Sequence, residues 1–242
     1  MTATSALQKT MRLVATGLAV AGGVYAGYVA VAWSRYGHAE RAGAADRDEL
    51  LDHFMPDYEV VERHEITVGA PAAITFAVAG DQDLFQQPVI RAIFKARELL
   101  LGAMPDDRSR PRPLLAQVRA LGWGILAEIP GHEIILGAVT KPWEANVTFR
   151  ALPPEEFAAF CEPGYVKIAW TLRADPLGDK RSRFRTETRA TATDPESRRK
   201  FRRYWAFVSP GIGLIRRLSL RPLKREAERR ARGTNDVAIP TS

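Results

Sequence analysis

From residue 13 to residue 34 the chain runs for 22 residues without a charged side chain. As a helix rising about 1.5 Å per residue it reaches roughly 33 Å, enough for a bilayer core of about 30 Å. An unbroken apolar run in a terminal position fits a membrane better than a buried core. Lys9 and Arg12 precede the run, while Tyr25, Tyr28, Trp33 and Tyr36 gather toward its far end, where amphipathic rings meet head groups. Residues 1–36 are therefore expected to form an N-terminal tail and a single-pass anchor helix. Residues 30–32, Ala-Val-Ala, also fit a signal-peptide cleavage pattern, but the run exceeds the roughly 7–15 residues of such a segment. Arg35, Arg41 and Arg47 outnumber the two bases before the run, which points the C-terminal part toward the cytoplasm.

The formal charge of +7 is not spread evenly. Residues 196–232 hold 13 Lys or Arg against Glu196, Glu226 and Glu228, a net of +10, so the rest of the chain is slightly acidic. No reading helix or stacking platform accompanies these bases, and no nucleic-acid partner is expected. Attraction to an anionic membrane surface fits better, at about 1 kcal/mol per Lys or Arg near it. The plain alternative is the solvated outer face of a packed helix. The lone Cys161 can build neither a disulfide framework nor a thiolate metal cluster.

Residues 37–50 are rich in Ala, Gly and charges without apolar periodicity and read as a tether, with a folded domain over 51–235 and a tail without structure over 236–242. Residues 58–68 alternate as a strand, placing Val60, Glu62, His64, Ile66 and Val68 on one face. Helical spacing follows over 71–79, 88–101 and 114–121, with a proline-rich loop over 104–113. Residues 123–129 and 132–140 read as a hairpin across Pro130-Gly131, a type II turn pair. Further strands are expected over 145–151, 165–173 and 183–193; the last sets Phe184, Thr186, Thr188, Ala190 and Ala192 opposite a charged, solvated face. Asp194-Pro195 opens a long terminal helix, which Pro210 should kink or interrupt.

That order, with Val68-Gly69-Ala70-Pro71-Ala72 running into Phe76, resembles the START-like, polyketide cyclase-like helix-grip superfamily (SRPBCC) over about residues 57–230. The resemblance implies an α+β fold in which a curved antiparallel sheet wraps the C-terminal helix around an apolar cavity. It implies a hydrophobic small molecule or lipid as partner; no metal and no cofactor is expected. Against such a cavity, Trp123, Phe149 and Trp170 supply aromatic surface, Thr186 and Thr188 leave room, and Tyr204 and Trp205 face them from the helix. Close packing of the same residues is the alternative.

Chemistry is sparse. His64-Glu65 and His132-Glu133 begin like a zinc-protease motif, but the second histidine position holds Val68 or Leu136. Glu128 and Glu144 stand in or beside apolar strands, and a carboxylate facing a cavity could act as general acid or base in a cyclase or dehydratase. No nucleophile is paired with a base. A non-catalytic envelope assembly protein, with a packed core and a basic helix for a protein partner, is the remaining alternative.

Overall fold

Pro130-Gly131 makes the turn its dihedrals demand, Gly131 at φ +73° and His132 N–H donating to the Ile129 carbonyl at 3.0 Å. It joins β2 (Gly124–Ile129) to β3 (Glu133–Thr140). The computed structural model describes residues 3–83, 87–102 and 113–237. All but the last residue of the proline-rich loop, and the tail beyond Val237, lie outside the described residues.

The other elements are α1 (Ala3–Arg35), α2 (Glu49–Phe54), β1 (Val60–Val68), α3 (Ala72–Asp81), α4 (Pro88–Leu101), α5 (Leu114–Ala120), β4 (Phe149–Arg150), α6 (Pro154–Ala159), β5 (Val166–Pro176), β6 (Ser182–Ala192) and α7 (Pro195–Val237). The antiparallel sheet has the order β1-β6-β5-β3-β2, with β4 paired to β3. Register puts Glu62 beside Thr188 and His64 beside Thr186, then Trp170 beside Thr188 on the other flank. This face meets α7, which packs on β1, β6, α3 and α1. A sheet gripping one long terminal helix is the helix-grip architecture.

Two apolar clusters fix α7 along the inner face. Phe201 packs with Tyr36, Val60, Val166 and Ala190 near its start; Leu223, Ala227 and Ala231 pack with Val68, Val78 and Leu114 toward its end. Asp194 caps the helix, accepting the N–H groups of Glu196 and Ser197. Hydrogen bonds from the Ser197 hydroxyl and the Gly164 N–H hold the Asp194 carboxyl well below the usual range.

Several expectations are corrected. Pro210 and Pro222 lie inside α7, and the helix runs on through both. A proline lacks the N–H that the preceding turn would use; beside that opened turn the Phe207 carbonyl accepts the Tyr25 hydroxyl of α1 at 2.6 Å. The strand expected over 145–151 shrinks to Phe149–Arg150, because Pro142 ends β3 and Trp143 turns toward the Phe201 cluster. α6, which the helical spacing read above does not include, begins at Pro154, with Glu155 and Glu156 in the first turn and Phe157 fully buried.

The charged face of β6 is not solvated. The segment expected as a free tether lies along it: Arg63 donates to the Glu40 carbonyl, and Asp46 approaches Arg183 and Arg185 at 3.6 Å. Beyond that segment, α2 is too short to hold itself; its Leu51 and Phe54, with the following Met55, pack onto Leu126, Ile135 and Phe157. Beneath this cover Arg189, 1% exposed, donates to Glu187 at 2.6 Å, Asp52 at 2.6 Å and the Met55 carbonyl at 2.7 Å. Glu187 in turn accepts Arg63 at 2.8 Å. Burial pushes the Asp52 carboxyl up, but hydrogen bonds from Arg47 and Arg189 outweigh it and leave it below the usual range.

Deeper in this face, Glu133 is 2% exposed and accepts the Thr171 hydroxyl at 3.2 Å. Burial raises it to about 8, helped by hydrogen bonding to Asp48, the N-cap of α2, and opposed by Arg173 and Thr171.

Two outcomes follow from these contacts. Arg189→Ala leaves Glu187 and Asp52 without their shared cation and lowers unfolding free energy by about 3–5 kcal/mol, measured by urea denaturation. Unfolded, Glu133 ionises near about 4.3, whereas folded it holds its proton to about 8. Between those values the folded chain binds the extra proton, so this group's contribution to stability falls as pH rises through the window. Glu133→Gln flattens that part of the Tm–pH profile and raises Tm near the top of the window, about 2–4 °C for each kcal/mol recovered.

Candidate functional site

The inner face of the sheet is apolar at its margins and polar at its centre. Trp170 lies there 3% exposed, its indole N–H donating to the Thr186 hydroxyl at 2.7 Å, while Thr186 donates to the Thr171 carbonyl at 2.9 Å. Over the indole, at 4.0 Å from the ring centroid, sits the guanidinium of Arg216 from α7, which donates to Thr188 at 3.2 Å. Among the described residues it has no ion-paired carboxylate. Burial pulls this guanidinium down to about 10, with the Glu62 carboxylate partly opposing.

Glu62 and His64 complete the polar centre. Their side chains are 19% and 9% exposed, and Glu62 Oε2 lies 3.3 Å from His64 Nε2. α7 passes close by at Gly213, where a Cβ would make ordinary contact at 3.7 Å with both Glu62 Oε2 and the Tyr28 hydroxyl oxygen.

Beside Arg216 the sheet and helix leave a void of about 30 Å³. Leu114, Leu172, Phe184, Ile215, Leu220 and Leu223 give it apolar walls, and Gln82, Thr186, Arg216 and Ser219 its polar ones. Such a space holds about one water or a methylene-sized group, so a larger guest needs α7 to move outward. On the opposite face a larger recess, about 230 Å³, lies among Asp46, Asp48, Arg63, Arg173, Arg185 and Glu187. Its opposite charges serve one another, as in Arg63–Glu187 and Arg185–Asp175, and the residues around it are all charged or polar.

The residues expected at the site divide into four groups. Trp170 and Thr186 line the void, and Thr188 holds Arg216. Trp123 and Phe149 stack on each other at 5.2 Å, and Trp123 meets the edge of Trp170 at 6.3 Å. Gly122 allows this approach: its φ is +98°, and a side chain there would collide with the Phe149 carbonyl. Tyr204 and Trp205 lie elsewhere, stacked around Phe201 near the start of α7. Glu128 and Glu144 are both exposed, at the end of β2 and in the turn after β3, so the proton-transfer role that required them inside has no support.

Arg216, counted in the sequence among solvated or lipid-facing bases, turns inward instead. The spacing carried a signal, since Arg216 falls four residues after Ile212 and four before Leu220, on the apolar stripe. Glu62 and His64 likewise alternate with Val60 and Ile66, positions that the burial of β1 makes interior.

No protein-family model matches the chain, and no curated protein matches it. Solved structures do resemble it. A hypothetical protein from Helicobacter pylori is 9% identical, the match covering 78% of this chain and 98% of that one at a TM-score of 0.37. An aromatase/cyclase from Streptomyces is 15% identical over 70% of this chain and 94% of its own, at 0.25. A START superfamily protein from Mycobacterium smegmatis is 13% identical over 72% and 98%, at 0.26. With TM-scores below 0.5 these likenesses bring neither ligand nor reaction to this chain; the helix-grip assignment rests on its own sheet order and on α7.

Removing the Arg216 charge relieves a desolvated cation and leaves the apolar contact with Trp170. Arg216→Met is expected to keep or raise Tm by a few degrees and to shift Trp170 emission, both read by intrinsic fluorescence during heating.

Proposed function

We propose that this chain is a membrane-tethered helix-grip domain that holds a hydrophobic small molecule or lipid between its sheet and α7, the polar end of the guest meeting Arg216. The observation that carries this reading is the apolar void that ends on an inward cation with no ion-paired carboxylate among the described residues. In a dry setting such a cation favours an anionic or strongly accepting group, which fixes the orientation of an amphiphile. The void grows as α7 swings outward, and Pro210, Gly211 and Gly213 lie where that helix can bend, between its two packed ends.

Tethering is supported by Met11–Arg35, long and apolar enough to cross a membrane. It is supported further by the docking of α1 on the domain. Arg202 donates to the Trp33 carbonyl at 3.0 Å and stacks on its ring at 4.3 Å, and Tyr36 donates to Glu59. Cleavage after Ala32 would separate Tyr25 from Phe207, so these contacts favour a retained anchor. The basic ends of α7 suit anionic head groups, and the charge count around α1 favours the cytoplasmic side.

Native mass spectrometry of the full chain, released from detergent micelles, tests the binding. One adduct of a hydrophobic mass is expected, and Ser219→Phe, which fills the void, reduces it at least about tenfold, roughly 1.4 kcal/mol, with the fold retained by circular dichroism. A chain that carries no adduct and takes up no fluorescent fatty acid has no such site.

A further inference from the structure

We infer that the uncharged middle of α7 lies among the acyl chains of the same bilayer that α1 crosses, so that the domain rests on the membrane through Phe207 and Leu214. This rests on the reading of α1 as a membrane-spanning helix. A bilayer core of about 30 Å takes about 20 helical residues. Counted from Leu13, the first residue after Arg12, that length ends near Ala32. The stretch of α1 that stands clear of the domain, residues 13–24, supplies only about 18 Å. The remaining thickness must therefore be crossed by the part of α1 that touches α7.

Those contacts carry α7 in with it. Trp33 and Arg202 pair at the level expected for head groups, where an indole and a guanidinium are both at home. Tyr25 is eight residues further in, on the order of 10 Å along the helix, and its hydroxyl meets the Phe207 carbonyl. In lipid the Tyr25 hydroxyl needs an acceptor from the protein, and the Phe207 carbonyl of α7 supplies it.

The outer surface of α7 is built to match. Residues 204–215 carry no charge. Phe207 and Leu214, two turns apart on one face, are 58% and 43% exposed, an uneconomical use of large apolar side chains in water. Arg199 and Arg203 continue the stripe on one side, Arg217 and Arg221 on the other, all exposed or partly so. An apolar centre with basic ends describes a helix lying in the interface, its apolar face sunk about 5–10 Å below the head groups.

The test uses full-length protein in vesicles of phosphatidylcholine and phosphatidylglycerol, in a Cys161→Ser background. Single cysteines introduced as Phe207→Cys, Leu214→Cys and Leu18→Cys are labelled with an environment-sensitive fluorophore; the unaltered chain labelled at the exposed Cys161 is the aqueous reference. Labels at 207 and 214 are expected to be quenched by lipids bearing a nitroxide on the acyl chain and shielded from iodide at least several-fold relative to Cys161. If position 18 is lipid-quenched while 207 and 214 remain open to iodide, the inference fails and the anchor stands. If position 18 is also open to iodide, the anchor reading fails and takes the inference with it.

Discussion

Arg189 sits almost beyond the reach of water, and the arrangement on one side of the sheet depends on its being satisfied there. Its guanidinium is shared between Glu187 on its own strand, Asp52 on α2 and the backbone at Met55, while Tyr58 lies 4.6 Å across its face. A buried charge with partners on separate segments gives little net stability compared with an apolar substitute, yet breaking it is costly. The cost enforces one placement of α2 and of the chain before it. With that cover in place Glu133 is buried and Asp48 reaches it, and the sheet has two covered faces where an alternating strand pattern implies one.

The two faces divide the chemistry. Outside, opposite charges are locked into mutual pairs and the segment leading from the anchor is held down by them. Inside, an apolar floor surrounds a polar centre in which Arg216 is held by one hydroxyl and one indole, with Glu62 and His64 nearby. The first arrangement is self-sufficient. The second leaves a cation with capacity to spare beside a small void, and that asymmetry places the candidate site between sheet and helix.

Much of the architecture was legible because it obeys simple periods. The alternation in β1, β5 and β6, the Pro-Gly turn, the helical spacing of α3 to α5 and the Asp-Pro opening of α7 all rest on neighbours in sequence. What escaped depends on distant residues. Nothing local to Arg183, Arg185, Glu187 and Arg189 reveals that a segment more than a hundred residues earlier covers them. α2 is six residues stabilised by what it lands on, and α6 begins at a proline that also reads as a stop. Of the expected site residues, Trp170, Thr186 and Thr188 came together because they share one face of adjacent strands. Tyr204 and Trp205 did not, because a helix of 43 residues has a far end, and stripe membership alone does not say which stretch of the stripe meets the void. Glu128 and Glu144 failed for a related reason: both stand where a strand gives way to a turn, and chain ends of this kind open to water.

The continuity of α7 through Pro210 and Pro222 makes it a single lever of about 65 Å at 1.5 Å per residue. Its first third is fastened to α1 through Arg202 and Phe207, and to Tyr36 just beyond α1 through Phe201; its middle forms the wall of the void from Ile215 to Leu223; its last third is latched to the β1–α3 turn, where Glu228 accepts the Gly69 N–H at 2.9 Å. A tilt imposed at one fastened end must be taken up at the compliant Pro-Gly stretch or passed on to the wall. The thickness and curvature of the surrounding bilayer thereby become mechanical inputs to how wide the space beside Arg216 can open.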